Sequence, residues 1–419
     1  MINQSRLSQG TIVLSEKVDF TETVSIGFWL LTGSRDEDKT EQGLTHFLEH
    51  MVFKGSETRS AFLIAQEIDR VGGILNAFTE KEHTCFYCTL PSEYCNLAID
   101  VISDMLFNPV FAPQELEKEK KVIISEIQSI DDSPEEIAYD SFLENLWAAH
   151  PLARKITGTT FDIQNINRDK LREFHQNRCT PKNLLISLAG KFELSEVLDQ
   201  LESSIPQNSS ALYVPERTVP VPRKSWKYMS GHFSQVHVFT GFSFPLPEKI
   251  EELYQFLIFS TLFGESMSSR LFQRIREEKG ICYSIFSMRS FFTSIALWKI
   301  YAGTAPENLD ELITGLNTEI QKIYKADITN TEVENAITHL VGCILISKDD
   351  MEVRMKRLFR HFILGGEIHD IPTTIKMLES VTSEDIERFI HNHLLNNAFN
   401  LLAFGTKRLN RKKKLYFTL

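Results

Sequence analysis

The sequence predicts an α+β protein made of two similar domains, and three observations carry that expectation. Apolar runs with strand character, such as VSIGFWLL and KNLLISLAG, are interleaved with longer segments of helical periodicity. A Pro-, Ser- and Asn-rich segment at 203–226, SSIPQNSSALYVPERTVPVPRKSW, divides the chain near its middle. The second half then repeats the first. RDKLREFHQNRCTPKNLLISLAG ends at Gly190 and SEDIERFIHNHLLNNAFNLLAFG ends at Gly405, so Phe174 matches Phe389 and Gly190 matches Gly405, each pair 215 residues apart. The expected division is a domain at 1–205, a linker at 206–226 and a second domain at 227–419.

The elements follow in order. Residues 10–32 alternate and end in a buried strand and a turn. The charged stretch Arg35–Lys39 is expected as a solvated loop. Thr40–Gly55 has helical periodicity, as does SAFLIAQEIDRV at 60–71, which Gly72 and Gly73 stop. ILNAFTEKEHTCFYCTLP is two short strands around a polar turn. Residues 92–107 are helical until NPVFAP breaks them. Residues 114–130 form the next helix, with Leu116, Ile123, Ile127 and Ile130 as its stripe. Helices at 134–148 and 168–177 and a buried strand at 182–190 complete the first half.

Bulk composition narrows the function. The chain has 419 residues, 42% hydrophobic and 24% charged, as in an ordinary soluble protein with room for real cores. A formal charge of −11 argues against nucleic acid and is compatible with cationic or neutral peptides. There is no apolar run of the roughly 18 residues a membrane span needs. The start, MINQSRLSQGTIVLSE, lacks the basic and apolar regions of a signal peptide. The six cysteines are scattered, as expected of reduced thiols in the cytoplasm. Cys85 and Cys88 lie three apart in a strand-like run, so they face opposite sides and pack rather than bind metal together.

One stretch carries chemistry. In TEQGLTHFLEHMVFKG, Leu44, Phe47, Leu48, Met51 and Val52 make one apolar helix face. His46, Glu49 and His50 make the opposite one. Two imidazoles four residues apart can reach one Zn²⁺, and the carboxylate between them can handle water at the metal. This is H-x-x-E-H, the reverse of the zincin H-E-x-x-H. A third ligand is required. Glu119 and Glu126 lie two turns apart on the 114–130 helix, on a face bordering Ile123, where a carboxylate needs a partner or a metal. In the second half the 215-residue offset sets TLFGE (261–265) against HFLEH and Val341 against Glu126, so that copy has lost the ligands.

With these residues in view, the chain resembles the pitrilysin/insulinase family of zinc peptidases, in particular its two-domain bacterial members similar to mitochondrial processing peptidase. The resemblance rests on HFLEH, the Gly-Gly-x-x-Asn-Ala run at 72–77, Glu119, Glu126 and SSRLFQRIREEKGICYS (268–284). It implies domains that are each a mostly antiparallel sheet with helices packed on one face. It implies one Zn²⁺ per chain on His46, His50 and Glu126, with Glu49 as general base and Glu119 in support. It also implies substrate contacts at Asn76, Ala77 and Phe78, where Asn76 read alone suits a turn equally well. Finally it implies that Arg276 and Tyr283 of the second half act at the site. Read without the resemblance, Arg276 is a surface helix residue and Tyr283 a core strand residue. The function implied is a cytoplasmic zinc metalloendopeptidase that cleaves unfolded peptides or short presequences inside a clamshell chamber, as a homodimer. The alternative is a non-catalytic structural or partner subunit of the same fold. The basic tail at 406–419 is expected as a solvated extension.

Overall fold

A computed structural model describes residues 2–207, 213, 215–325, 327–365, 367–395 and 399–406. Five of the 206–226 linker residues, 208–212, together with residue 214, lie outside the described residues, as does the basic tail from 407 on. The first half runs β1 (Ile2–Arg6), β2 (Ile12–Lys17), β3 (Thr23–Leu30), α1 (Leu44–Val52), α2 (Ala61–Asp69), β4 (Ile74–Thr79) and β5 (Thr84–Pro91). It continues with α3 (Cys95–Phe107), α4 (Pro113–Asp131), α5 (Pro134–Trp147), α6 (Thr160–Gln164), α7 (Arg168–Arg178), β6 (Leu184–Gly190) and α8 (Leu194–Ser204). The second half runs β7 (Trp226–Ser230), β8 (Val236–Pro245), α9 (Ile250–Ser260), β9 (Ser284–Phe291), β10 (Ile295–Thr304) and α10 (Leu309–Tyr324). Then follow α11 (Asn330–Ser347), α12 (Met351–Gly365), α13 (Ile371–Glu379), α14 (Ser383–His393) and β11 (Asn400–Gly405). None of these helices is long and apolar enough to cross a membrane.

Two sheets result, ordered β1-β2-β6-β3-β5-β4 and β7-β11-β8-β10-β9. Each is antiparallel except for one parallel pair, β2 with β6 and β7 with β11. The α+β class with two similar domains therefore holds. In the first unit, one sheet face packs against α1, α3, α4, α7 and α8, through residues such as Phe28, Phe47, Phe86, Ile102, Ile123 and Phe174. Cys88 belongs to this core and Cys85 to the core on the opposite face, as strand alternation requires.

The expectation of helices on one face only is incomplete. β3 is buried from Val24 to Leu30, so both of its faces need cover. The second cover comes from far along the chain. The first compact unit contains residues 347–370, and the second contains residues 130–153. Met355, Leu358 and Phe359 of α12 pack on Leu14, Trp29, Cys85 and Leu185 of the first sheet. Phe359 stacks on Trp29 at 3.7 Å, and Glu16 accepts from Arg354 at 2.7 Å and Arg357 at 3.2 Å. A Cβ at Gly27 would fall 2.5 Å from Met355 Sδ, so a larger residue there would have to displace the methionine. In the second unit, Phe142, Leu143 and Leu146 of α5 cover Phe239, Leu297 and Leu402. Shifted by 215 residues, α5 falls on α12. Each copy of the repeat has therefore given its equivalent helix to the other's sheet, and the compact units cut across the division at 206–226.

A second expectation is corrected. Arg35, Asp36 and Glu37 are buried, not a solvated loop. Each charge is spoken for: Arg35 pairs with Glu82, and Asp36 accepts two bonds from Arg217, at 2.9 and 2.8 Å. Glu37 accepts the backbone N–H groups of Gly43 at 2.9 Å and Thr45 at 2.8 Å, at the start of α1. It thereby satisfies donors that a helix leaves open at its N-terminus. Gly43 itself sits at φ +82, and a Cβ there would meet Thr157 O at 2.7 Å.

Burial pushes the Glu37 carboxyl up to about 8, against the opposing pull of the two N–H groups. Between its ordinary 4.5 and about 8, the folded chain holds a proton that the unfolded chain has lost. Stability from this group is therefore present below the ordinary value and lost as pH rises through the folded one. The thermal midpoint of the wild type relative to Glu37→Gln is expected to fall between pH 5 and pH 9. A constant difference across that range would show that Glu37 stays ionised.

Candidate metal site

α1 is anchored by its back. Leu44, Phe47, Leu48, Met51 and Val52 are all buried in the first unit's core, which leaves His46, Glu49 and His50 on the other side. α4 is anchored likewise by Leu116, Ile123 and Ile127, and it presents Glu119 and Glu126 two turns apart. Packing the two stripes into one core brings the two polar faces together. His46, His50 and Glu126 then each offer one ligand atom, all within 4.8 Å of one another. His46 Nε2 is 3.7 Å from Glu126 Oε1, and His50 Nε2 is 3.8 Å from Glu126 Oε2.

These separations are too long for hydrogen bonds. They are close to the ligand–ligand edge of about 3.4 Å in a tetrahedral zinc sphere with bonds near 2.1 Å. The donor chemistry agrees. Burial, with the charge of His50 added, lowers the His46 pKa to about 4, so its lone pair is available at neutral pH. Its Nδ1 is buried with no hydrogen-bond partner among the described residues. His50 Nδ1 donates to Glu119 Oε1 at 2.9 Å, which fixes the tautomer and aims Nε2 at Glu126. Lys54 bonds the other oxygen, Oε2, at 2.8 Å. Burial opposes the charge on Glu119, but the His50 and Lys54 bonds overcome it and hold the carboxyl below its ordinary range. Burial likewise resists a proton on His50, and Glu119, Glu49 and Glu126 outweigh it, so this imidazole is raised. A cation bound at Nε2 would take the place of that proton. The three residues thus fit a zinc ion.

Glu49 lies on the same helix face, half-buried, and burial pushes its carboxyl up. Its Oε2 accepts from Thr79 Oγ1 at 2.5 Å. Lys54 and Thr79 were not legible as site residues. Lys54 follows His50 by four positions, a helical spacing that could have been noticed. Thr79 carries no such signal, because only the sheet brings it to α1.

The other expected residues separate into groups. Asn76, Ala77 and Phe78 lie on β4, the terminal strand of the six-stranded order. Asn76 is exposed within the strand, so its turn reading is set aside; its Oδ1 accepts the Ala77 N–H at 2.8 Å. Ala77 packs toward the α1 core, while Phe78 faces the other way against Trp29, with ring centroids 5.8 Å apart. Arg276 and Tyr283 belong to the second unit. Arg276 lies on a wide, π-type turn, Phe272–Glu277, with its guanidinium 4.4 Å from the Phe272 ring centroid and 6.0 Å from that of Tyr283. Tyr283 is 76% exposed just before β9, not a core strand residue. In the second copy, Thr261–Glu265 is also a π-type turn, and Glu265 pairs with Arg289 and accepts from Ser260 at 2.5 Å. A serine–arginine network thus stands where the first copy has imidazoles.

Comparison with known proteins places these residues in a family. Residues 12–160 match the family model described as insulinase, peptidase family M16, and residues 165–340 match the peptidase M16 inactive domain. The chain is 33% identical over 391 residues to an uncharacterized zinc protease of Bacillus subtilis, covering 92% of this chain and 94% of that one. It is 32% identical to an uncharacterized zinc protease of Mycobacterium tuberculosis, covering 96% and 92%. Among solved structures it is similar to a protease from Helicobacter pylori, with a TM-score of 0.87 at 18% identity, covering 97% and 99%. It is also similar to a peptidase M16 inactive domain from Pseudomonas fluorescens, with a TM-score of 0.89 at 16% identity, covering 98% and 99%.

Glu119 touches no ligand lone pair, yet it sets the ring of His50. Glu119→Gln is expected to weaken zinc binding about 10- to 100-fold while leaving the fold intact. Competition with a chromophoric chelator measures it. Unchanged affinity would mean that packing alone orients His50.

Proposed function

This chain belongs to the insulinase family of peptidases, family M16, and from that premise we propose that it is a zinc-dependent metalloendopeptidase with one zinc per chain. The observation that carries this reading is the convergence of His46, His50 and Glu126, with Glu49 on the same helix face. The zinc protease relatives support the same metal. A zinc ion bound there supplies Lewis acidity toward a scissile carbonyl and toward water.

The chain's own residues supply the rest. Glu49 takes a proton from the attacking water and passes it to the leaving amine, a role suited to a half-buried carboxyl pushed upward. β4 ends its sheet, so its outer edge can take an extended peptide as an added strand. Asn76 Oδ1 accepts the Ala77 N–H, and its Nδ2 can donate to a substrate carbonyl, which suits the role of aligning the substrate backbone. Ala77 and Phe78 are proposed as substrate contacts on the resemblance, and Phe78 also packs on Trp29. Tyr283 is the donor for the developing oxyanion and Arg276 its neighbour, and both assignments rest on the family resemblance. The exposure of Tyr283 is compatible with that role.

The preference for unfolded peptides or short presequences, the enclosed chamber and the cytoplasmic location are proposed on the resemblance. So is a homodimer in which Arg276 and Tyr283 of one subunit serve the zinc of the other. The competing reading, a non-catalytic partner subunit, is weakened by the intact ligand set and base in the first half.

Glu49→Gln is expected to retain stoichiometric zinc and to lose turnover of a quenched peptide by at least about 100-fold. Equal cleavage by the variant would remove Glu49 from the role of base. Size-exclusion chromatography with light scattering is expected to give twice the chain mass, and a fully active monomer would rule out the shared site.

A further inference from the structure

A glutamate on a helix is held at its Cβ and little further, because three side-chain torsions separate that atom from the carboxylate. Glu49 therefore needs a second anchor if its oxygens are to stay in one place. The structure supplies one from β4. Thr79 is the last residue of that strand, and its Oγ1 donates to Glu49 Oε2 at 2.5 Å. Among the described residues, Oε1 of Glu49 has no hydrogen-bond partner.

The anchor is itself fixed by the sheet. Thr79 pairs with Thr84 of β5, a buried residue whose own hydroxyl donates to Thr32 O at 3.1 Å. Alternation along β4 sets Thr79 on the same face as Leu75 and Ala77, which pack on the α1 core. β-branching restricts the Thr79 side chain at χ1. The hydroxyl thus reaches Glu49 from a rigid direction, and its single hydrogen is committed to that carboxylate.

We propose that Thr79 is a positioning residue for the base: its hydroxyl clamps Oε2 of Glu49 and so leaves Oε1 as the oxygen aimed for proton transfer. This rests on the peptidase reading and deepens it. Thr79 touches neither substrate nor metal ligand and acts through Glu49 alone. It also joins the base to the strand proposed to receive the peptide, so one element would align both reacting partners. A role limited to satisfying a half-buried carboxylate would show in stability, not in turnover alone.

The test uses the full-length, zinc-loaded chain with Thr79→Val and Thr79→Ser. Valine keeps the branching and strand preference and removes only the donor. Thr79→Val is expected to keep zinc content and to keep KM within about twofold, while kcat falls about tenfold or more and Thr79→Ser recovers most of it. Crystal structures of the wild type and Thr79→Val provide a readout free of turnover, and the Glu49 carboxylate is expected to leave its position in the variant. Wild-type kcat in Thr79→Val, failure of serine to rescue, or an unmoved Glu49 would overturn the proposal. Should Thr79→Val fail to fold, Thr79→Ala is read against the same outcomes. A wild type that cleaves no peptide would fell the peptidase reading, while the crystal comparison would still decide whether Thr79 holds Glu49.

Discussion

The burial of two apolar helix stripes in one core governs the candidate site. α1 and α4 each carry a continuous row of apolar residues, and neither row tolerates water. Seating both rows in the same core leaves each helix little freedom to rotate, because a turn of either would expose leucines and isoleucines. The polar faces are then fixed as a consequence. His46 and His50 face Glu126 at 3.7 and 3.8 Å, beyond hydrogen-bond reach, at a spacing set by the packing of the two helices. The contacts that do bind, Lys54 to Glu119 to His50, act crosswise and brace the ring whose aim matters.

Much of this was legible in the sequence because helical periodicity is a local property. The spacing of Leu44, Phe47, Leu48, Met51 and Val52 assigns His46, Glu49 and His50 to one face without further information. Glu126 was legible for the same reason, as a carboxylate bordering an apolar stripe. What periodicity cannot convey is a partner distant in the chain. Asp36 and Glu37 look like solvent-facing charges until Arg217 and the opening of α1 are in place. Thr79 is an ordinary strand threonine until the sheet carries it to Glu49. Tyr283 sits beside strand-forming residues and so looked like core, but the strand begins one residue later.

The duplicated half shows how a site is dismantled without loss of its scaffold. Where the first copy has His46–His50 inside an α-helix, the second has a wide, π-type turn, Thr261–Glu265. A carboxylate in that place would be costly alone, and Arg289 with Ser260 provides the charge and the donor that water would otherwise give. An ion pair and a hydroxyl, rather than apolar residues, thus stand at the position of the first copy's second imidazole.

The reciprocal placement of α5 and α12 bears on how this chain comes to exist at all. Because each sheet borrows its second lid from the opposite copy, neither half of the gene encodes a finished domain. Translation of the first 205 residues yields a sheet whose far side, with Trp29 uncovered, stays greasy until the polypeptide is about 360 residues long. The nascent chain therefore reaches its own C-terminal third before the second face of its first sheet is covered, and a chain stopped at the linker leaves that apolar face open to aggregation or to a complementary fragment.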